Sequence, residues 1–320
     1  MAARQQQENR PDWSAAVDHL ESINTPETAP STRSPKRKAV ADDGPVQKRY
    51  RILNPSDIFK AKYQQQQKLG QGGYGCVFAG YRRADNLPVA IKHTNKELAA
   101  FIHEDSDGNQ VPMEVAILQK LAEESERHSA MITILDWYDV DEELVIVLER
   151  PIPAVDLGVY IKLKGGYLQE TEAKIIIKQL VDAALHLQQK NIFHGDIKVE
   201  NLLIETCVTS PRVHVIDFGV SCFYEEGEAF NVLYATHVPP EFLSRGEYQA
   251  GPSTVFQIGV VLFHMRQRVK YRADMSFEEL TKTCWLSKYG KNFFQACIYP
   301  DPNHRFDLDQ LKNHPWLKEC

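Results

Sequence analysis

The sequence predicts an α+β chain in two parts, a small antiparallel sheet with one main helix and then a larger, mostly helical lobe. Two observations carry this. Between residues 69 and 148, β-prone apolar runs alternate with turns and are broken by a single stretch of helical spacing. From residue 171 onward the apolar residues recur mostly at helical intervals. The connector Glu149-Arg150-Pro151-Ile152-Pro153 marks the change, because two prolines in three residues stiffen it and remove two N–H donors.

Composition bounds the rest. With 320 residues, 43% apolar and 25% charged, the chain can bury a sizeable core. It holds no apolar run of about 18 residues, so no membrane span is expected. The first residues form no apolar h-region, which argues against secretion. Six cysteines, at 76, 207, 222, 284, 297 and 320, are scattered with no Cys-x-x-Cys pair. That pattern disfavours a zinc site or a disulfide framework and fits a reducing, cytoplasmic compartment. Residues 1–57 carry nine Lys/Arg and eight Asp/Glu; the remainder carries 28 against 35. An acidic folded region suits a basic peptide better than nucleic acid, and nothing in the sequence demands more than a monomer.

Residues 1–57 are polar and read as a disordered tail. Asp12-Trp13-Ser14-Ala15-Ala16-Val17-Asp18-His19-Leu20 has the pattern of a short, transient helix. Two basic clusters, Lys36-Arg37-Lys38 and Lys48-Arg49-Tyr50-Arg51, fit either a nuclear import signal or a solvated linker. Thr25-Pro26 and Ser34-Pro35 are candidate phosphorylation sites.

The folded part is placed at 58–150 for the small lobe and 151–317 for the large one, starting near Phe59. Leu69-Gly70-Gln71-Gly72-Gly73-Tyr74-Gly75-Cys76-Val77-Phe78 sets glycines at 70, 72 and 75 between two β-like runs. Glycine lets the backbone approach phosphates closely and turn N–H groups toward them. A glycine-rich turn alone gives the same string, and a dinucleotide fold would follow it with a helix. Here Cys76-Val77-Phe78-Ala79-Gly80-Tyr81 reads as a strand, so a hairpin flap is expected.

Next comes the strand Val89-Ala90-Ile91-Lys92. A lysine at the end of a buried strand needs anionic partners. Phosphate oxygens are one source and Glu114 is another. Apolar residues at 111, 115, 118 and 121 predict a helix opened by Pro112, with Glu114 on its core-facing side. The stretch Asp105-Ser106-Asp107-Gly108-Asn109 reads as a polar loop. Two further strands are expected at Ile132–Tyr138 and Leu144–Leu148. If an adenine ring docks at the connector, the Glu149 carbonyl can accept from its amino group, whereas Pro151 offers no donor. Helices follow at Thr171–Gln188, Val255–His264, Phe277–Cys284, Phe293–Tyr299 and Leu308–Trp316.

The chemistry concentrates in His194-Gly195-Asp196-Ile197-Lys198-Val199-Glu200-Asn201. The apolar run Val213-His214-Val215-Ile216 then leads into Asp217-Phe218-Gly219. Asp196 can accept the proton of an attacking hydroxyl, and Lys198 can neutralise charge on a transferred phosphoryl group. Asn201 and Asp217 can hold Mg2+, which takes few protein oxygens beside phosphates and water. A polar surface loop is the simpler reading of Asp-x-Lys-x-x-Asn alone. Its spacing to Asp-Phe-Gly behind an apolar strand argues for the chemical one.

Glycine flap, strand lysine, helix glutamate, Asp/Asn loop, Asp-Phe-Gly and Pro239-Pro240-Glu241 occur in one order. Over about residues 59–317 this resembles the protein kinase family, which implies a bilobal kinase fold, ATP, Mg2+ and protein substrates. Val89-Ala90-Ile91-Lys92-His93, Val111-Pro112-Met113-Glu114-Val115, Leu135-Asp136-Trp137 and Leu148-Glu149-Arg150-Pro-x-Pro narrow the resemblance to the Pim family of serine/threonine kinases. Asn313-His314-Pro315-Trp316 does so too.

The resemblance implies that residues 69–77 cover the nucleotide, that Lys92 holds its α/β-phosphates and that Glu114 orients Lys92. Val77, Ala90 and Leu203 would sandwich adenine, and Asp196 would be the base. Glu241 would pair with Arg305. Lys198 matches serine/threonine rather than tyrosine kinases. Basic substrates would meet Asp156 and Glu200, with Glu225, Glu226 and Glu228 adding to the field.

The sequence also departs from the pattern. Val159 and Val199 stand where the family tends to carry acids. Gly195 replaces the arginine that commonly grips a phosphate on the activation segment, which predicts activity without phosphorylation at Ser221, Tyr224, Tyr234 or Thr236. Thr254 takes the place of a helix-capping aspartate under the catalytic loop. The loop 236–241 and the stretch 266–291 look shortened. These departures keep a second reading open, a pseudokinase that binds nucleotide or partners without efficient transfer.

Overall fold

A computed structural model describes residues 54–318 apart from 74, 97–100, 106, 124–129 and 208–209. The readings made for the tail and for Tyr74 lie outside the described residues.

The small lobe opens with helix α1 (Pro55–Lys62). The Asn54 side chain caps it by accepting from the Asp57 N–H at 2.7 Å, and proline opens its first turn. Strands β1 (Tyr63–Gly72), β2 (Gly75–Arg82) and β3 (Pro88–Asn95) follow. A short hairpin, β4 (Ile102–Glu104) and β5 (Gln110–Pro112), leads into helix α2 (Met113–Ala122). Strands β6 (Ile134–Val140) and β7 (Glu143–Glu149) complete an antiparallel sheet of order β1-β2-β3-β7-β6.

Register decides which side chains share a face. Val77 pairs with Lys92 and Ala79 with Ala90; across the next strand Ala90 pairs with Leu148 and Lys92 with Ile146. Directly opposed residues point the same way. This face therefore carries Val77, Ala90 and Lys92 toward the large lobe. The other face presents Val89, Ile91, Val145 and Val147, which α1 covers with Phe59. That packing gives Phe59 its place in the fold. The helix is needed to bury the outer face, and its single large buried side chain gives no periodic signal.

The polar loop expected at 105–109 is the turn of the β4–β5 hairpin. The Asp105 carboxylate accepts from the N–H groups of Asp107 and Asn109 at 2.9 and 2.8 Å. Three-residue strands are too short to display a period of two, so the sequence shows only their turn.

In the large lobe β8 (Ala154–Asp156) joins a sheet of order β11-β10-β8 with β10 (Leu202–Glu205) and β11 (Arg212–Val215). Helix α3 (Leu157–Leu163), absent from the sequence reading, is capped by Asp156. Helix α4 (Glu170–Gln189) runs into β9 (Ile192–Phe193), which pairs with β12 (Cys222–Phe223). Then come α5 (Pro240–Arg245), α6 (Ala250–Arg266), α7 (Phe277–Thr283), α8 (Lys288–Ile298), α9 (Leu308–Lys312) and α10 (Pro315–Lys318). Helix α6 begins five residues before the predicted Val255, because Pro252 falls in its first turn, where no N–H is required. The predicted helix Leu308–Trp316 divides at Asn313-His314, with Pro315 starting the second piece.

One core joins Val115 and Leu118 of α2 to Ile177 of α4 and Val260 of α6. Among the described residues no helix is long and apolar enough to cross a membrane.

Candidate active site between the lobes

Lys92 is 7% exposed and lies inside β3, which runs on to Asn95 rather than ending at the lysine, and the strand turns it inward. Its ammonium donates to both oxygens of Glu114, at 2.7 and 2.9 Å, and to Asp217 Oδ1 at 2.8 Å. Glu114 comes from the first turn of α2 and Asp217 from beyond β11, so one cation ties the two lobes together. Burial works against the Lys92 charge, but Asp217 and Glu114 outweigh it and raise its pKa. Burial likewise pushes Asp217 up, yet Lys92 overcomes this and pulls its pKa down to about 2. Glu114 is raised by burial, with Lys92 opposing and Asp217 adding to the rise. Asp217 is thus an ionised carboxylate at neutral pH, and its side chain keeps 42% exposure. Its φ of +66° is unusual for a non-glycine residue and marks local backbone strain of about 1–3 kcal/mol.

Below this cluster stands Asp196, 8% exposed. Its Oδ1 accepts from the Thr236 N–H at 2.9 Å and its Oδ2 from Lys198 Nζ at 2.5 Å. Lys198 also donates to Thr236 Oγ1 at 3.1 Å. The Asn201 amide donates to the Asp196 carbonyl at 2.8 Å and to Oδ2 at 3.3 Å, which leaves Asn201 Oδ1 as an acceptor. The Asp, Lys and Asn of the sequence motif therefore meet at one point, together with a backbone N–H that the motif does not reveal.

Above it, β1 and β2 form the expected flap, with Gln71, Gly72 and Gly73 exposed at its tip and Leu69 half-buried. Gly75 has to be glycine, because a Cβ there would lie 1.9 Å from the His93 carbonyl oxygen. Cys76, Val77, Ala90 and Leu203 are half-buried, whereas Ala79, Val89, Leu202 and Ile204 beside them are buried. Glu149 uses its side chain and its N–H on Thr133, at 3.1 and 2.9 Å, so only its carbonyl is left for the role the sequence gives it.

The Glu241–Arg305 pair forms fully buried, with Arg305 Nη1 2.8 Å from Oε1. Asp156 serves a purpose beyond the expected one, since its Oδ1 accepts from the Val159 N–H at 2.8 Å. Burial first, and Glu200 as a further cause, raise the Asp156 pKa. Glu200, Glu225, Glu226 and Glu228 are exposed, while Val199 is in the core.

Two features escaped the sequence reading. Gln257 of α6 reaches the 194–201 loop, at Gly195 and Ile197, and its signal was a lone amide in the apolar run Val255–Met265. The β4–β5 hairpin, with Phe101 just before it, touches the segment that follows Asp217-Phe218-Gly219 (residues 220–238, the activation segment), where the Phe101 and Tyr234 rings stand 5.4 Å apart edge to face and His103 lies 4.9 Å from Phe223. No local pattern announces that contact.

A family model for the protein kinase domain matches residues 63–317. The chain belongs to the protein kinase family. It is 31% identical over 281 residues to the serine/threonine-protein kinase pim-2 of Danio rerio, covering 83% of this chain and 88% of that one. It is 30% identical over 274 residues to the serine/threonine-protein kinase prk-2 of Caenorhabditis elegans, covering 82% of this chain and 59% of the relative. A serine/threonine-protein kinase 1 of African swine fever virus is 31% identical over 253 residues, 78% of each chain. The Pim-like motifs and the two-lobed kinase fold agree with these relatives.

Proposed function

We propose that this protein is a serine/threonine kinase that moves the ATP γ-phosphate to protein hydroxyls in basic sequence contexts. The observation that carries the reading is the Lys92 cation held by carboxylates from both lobes. It faces an Asp196–Lys198–Asn201 cluster already hydrogen-bonded to the substrate-side backbone at Thr236.

The residues fit ATP and Mg2+. Asp217 supplies an ionised, partly exposed carboxylate and Asn201 a carbonyl oxygen, the hard oxygens that Mg2+ takes alongside phosphates. Mg2+, when bound, neutralises charge on the phosphate oxygens. Lys92 holds the phosphates from above, and Glu114 keeps Lys92 from swinging away. Leu69, Val77, Ala90 and Leu203 offer apolar surface to the adenine. Asp196 takes the hydrogen bond of the incoming hydroxyl and orients it, and Lys198 counters the charge that moves onto the γ-phosphate oxygens. The exposed Glu200, together with Asp156, favours lysine or arginine near the acceptor.

The reading includes activity without activation-segment phosphorylation. Gly195 offers no side chain to grip a phosphate. Protein contacts hold the segment instead: Ala229–Phe230 pairs with Tyr248–Gln249, Tyr248 donates to the Val232 carbonyl at 3.0 Å, and Phe101 meets Tyr234.

Purified protein, phosphatase-treated, is assayed with labelled ATP, Mg2+ and a basic peptide beside Asp196→Asn and Lys92→Met. The expected result is phosphoserine or phosphothreonine from wild type and a loss of about 100-fold or more in each variant. Equal, poor transfer by wild type and Asp196→Asn, before phosphatase treatment as well as after it and with both still binding ATP, would establish the pseudokinase reading that Gly195 and the short 236–241 loop favour. Activity that vanishes on phosphatase treatment would refute the phosphorylation-independent part alone.

A further inference from the structure

Helix α6 is buried along most of its length, and Val255, Phe256, Ile258, Val260 and Val261 give it an apolar surface. Gln257 interrupts that surface at 0% exposure. Its Nε2 donates to the Gly195 carbonyl at 2.8 Å, and its Oε1 accepts from the Ile197 N–H at 3.0 Å. These two backbone groups lie on either side of Asp196. A primary amide offers a donor and an acceptor at once, so Gln257 satisfies both, and the two bonds fix the rotation of the peptide planes that carry Asp196.

Each plane has one further anchor, since the Asp196 N–H donates to His194 Nδ1 at 3.3 Å and Asn201 donates to the Asp196 carbonyl at 2.8 Å, but of these three side chains Gln257 alone engages both planes. Gly195 sits at φ +81°, a region open to glycine and therefore easily left by it. Thr254, one turn earlier on α6, lines a pocket beside His194 and Ile197 and carries no charge to hold the loop.

We propose that Gln257 is the positioning residue of the catalytic loop, acting through Gly195 and Ile197 to aim the Asp196 carboxylate at the substrate hydroxyl. The proposal rests on Asp196 being the base. The hydrogen bonds of Gln257 go to Gly195 and Ile197, not to Lys92 or Asp217, so its loss is expected to act on turnover rather than on ATP affinity. A group misplaced by about 1 Å costs on the order of 100-fold in rate.

The test compares wild type, Gln257→Leu, Gln257→Glu and Asp196→Asn in kcat, peptide KM, ATP dissociation constant and Tm. Gln257→Leu is expected to lower kcat by about 100-fold with ATP affinity within about twofold of wild type. Gln257→Glu keeps the shape and loses the donor when ionised. A buried carboxyl is held partly protonated, and its neutral form again donates to Gly195 and accepts from Ile197. Its kcat relative to wild type should therefore rise as pH falls from about 8 to about 6, a response that a purely structural role would not give.

Unchanged kcat in Gln257→Leu, with Asp196→Asn inactive, overturns the proposal while sparing the base assignment. Full activity in Asp196→Asn removes the base assignment instead. Should Gln257→Leu not fold, Gln257→Glu decides: a kcat ratio flat with pH overturns the proposal.

Discussion

Gly195 shows how one residue can carry two consequences. Where the family pattern leads one to expect an arginine, the chain has no side chain to receive a phosphate. It also has no Cβ at φ +81°, where a Cβ would stand 3.2 Å from the Val220 carbonyl oxygen. An L-residue pays about 1–2 kcal/mol for the left-handed region, so Gly195→Ala should destabilise by about that amount. For a domain of this size that is a fall in Tm of about 2–8 °C, read by calorimetry. No change in Tm would mean that the loop adopts another backbone in the variant. The meeting of Lys92 with Glu114, and of Asp196 with Lys198 and Asn201, was legible in the sequence, because a strand lysine needs an inward-facing acid and the Asp-x-Lys-x-x-Asn run stands at a telling spacing from Asp-Phe-Gly. The reason for Gly195 was not, since a backbone dihedral leaves no mark on composition. Gln257 was legible in principle, as a lone amide on an apolar helix.

Among the elements, those with enough length to repeat could be read ahead of the structure. Helix α4 was predicted within a residue or two at each end, and β2, β3 and β7 were recognised from their apolar runs. The β4–β5 hairpin and α3 were not, because three-residue strands and a seven-residue helix contain too little periodicity. The hairpin nevertheless bridges the small lobe to the activation segment through Phe101–Tyr234 and His103–Phe223, and Lys120 of α2 lies 4.7 Å from the Phe223 ring centre. Aromatic pairs of this kind contribute about 1 kcal/mol each. Replacing Phe101 and His103 with alanine should speed amide exchange across residues 221–236 and lower kcat several-fold in dephosphorylated protein. Ile102→Ala, at 61% exposure on the same strand, should do neither. Equal exchange in all three proteins would show that the segment is held from the large lobe alone.

At the scale of the molecule, folding buries histidines as well as ion pairs. His194 is 2% exposed and His237 6%. The His194 ring lies 5.0 Å from Phe218, and the His237 ring packs 5.5 Å from His264 and 5.6 Å from Tyr271. Burial lowers both pKa values, that of His237 from 6.5 to about 4, although Asp196 and a hydrogen bond to Ile197 oppose the fall. Above pH 6.5 both rings are neutral whether the chain is folded or unfolded, and they make no pH-dependent contribution. Below 6.5 the unfolded chain takes up protons that the folded one refuses. Stability therefore falls as pH drops, until the folded His237 titrates near pH 4. The loss assigned to His237 is on the order of 3 kcal/mol across that window. Asp217, held near 2 in the folded chain, adds a slope of the same sign only below about pH 5, where the unfolded carboxylate starts to take up protons. Urea unfolding of wild type and His237→Gln at a series of pH values between 7 and 4 isolates the histidine, because glutamine keeps a donor for the Ile197 carbonyl and does not titrate. The variant should lose much of the downward slope, and its stability should approach or exceed that of wild type at the acid end. Parallel curves would place the acid sensitivity elsewhere, with His194 beneath Phe218 the next side chain to replace.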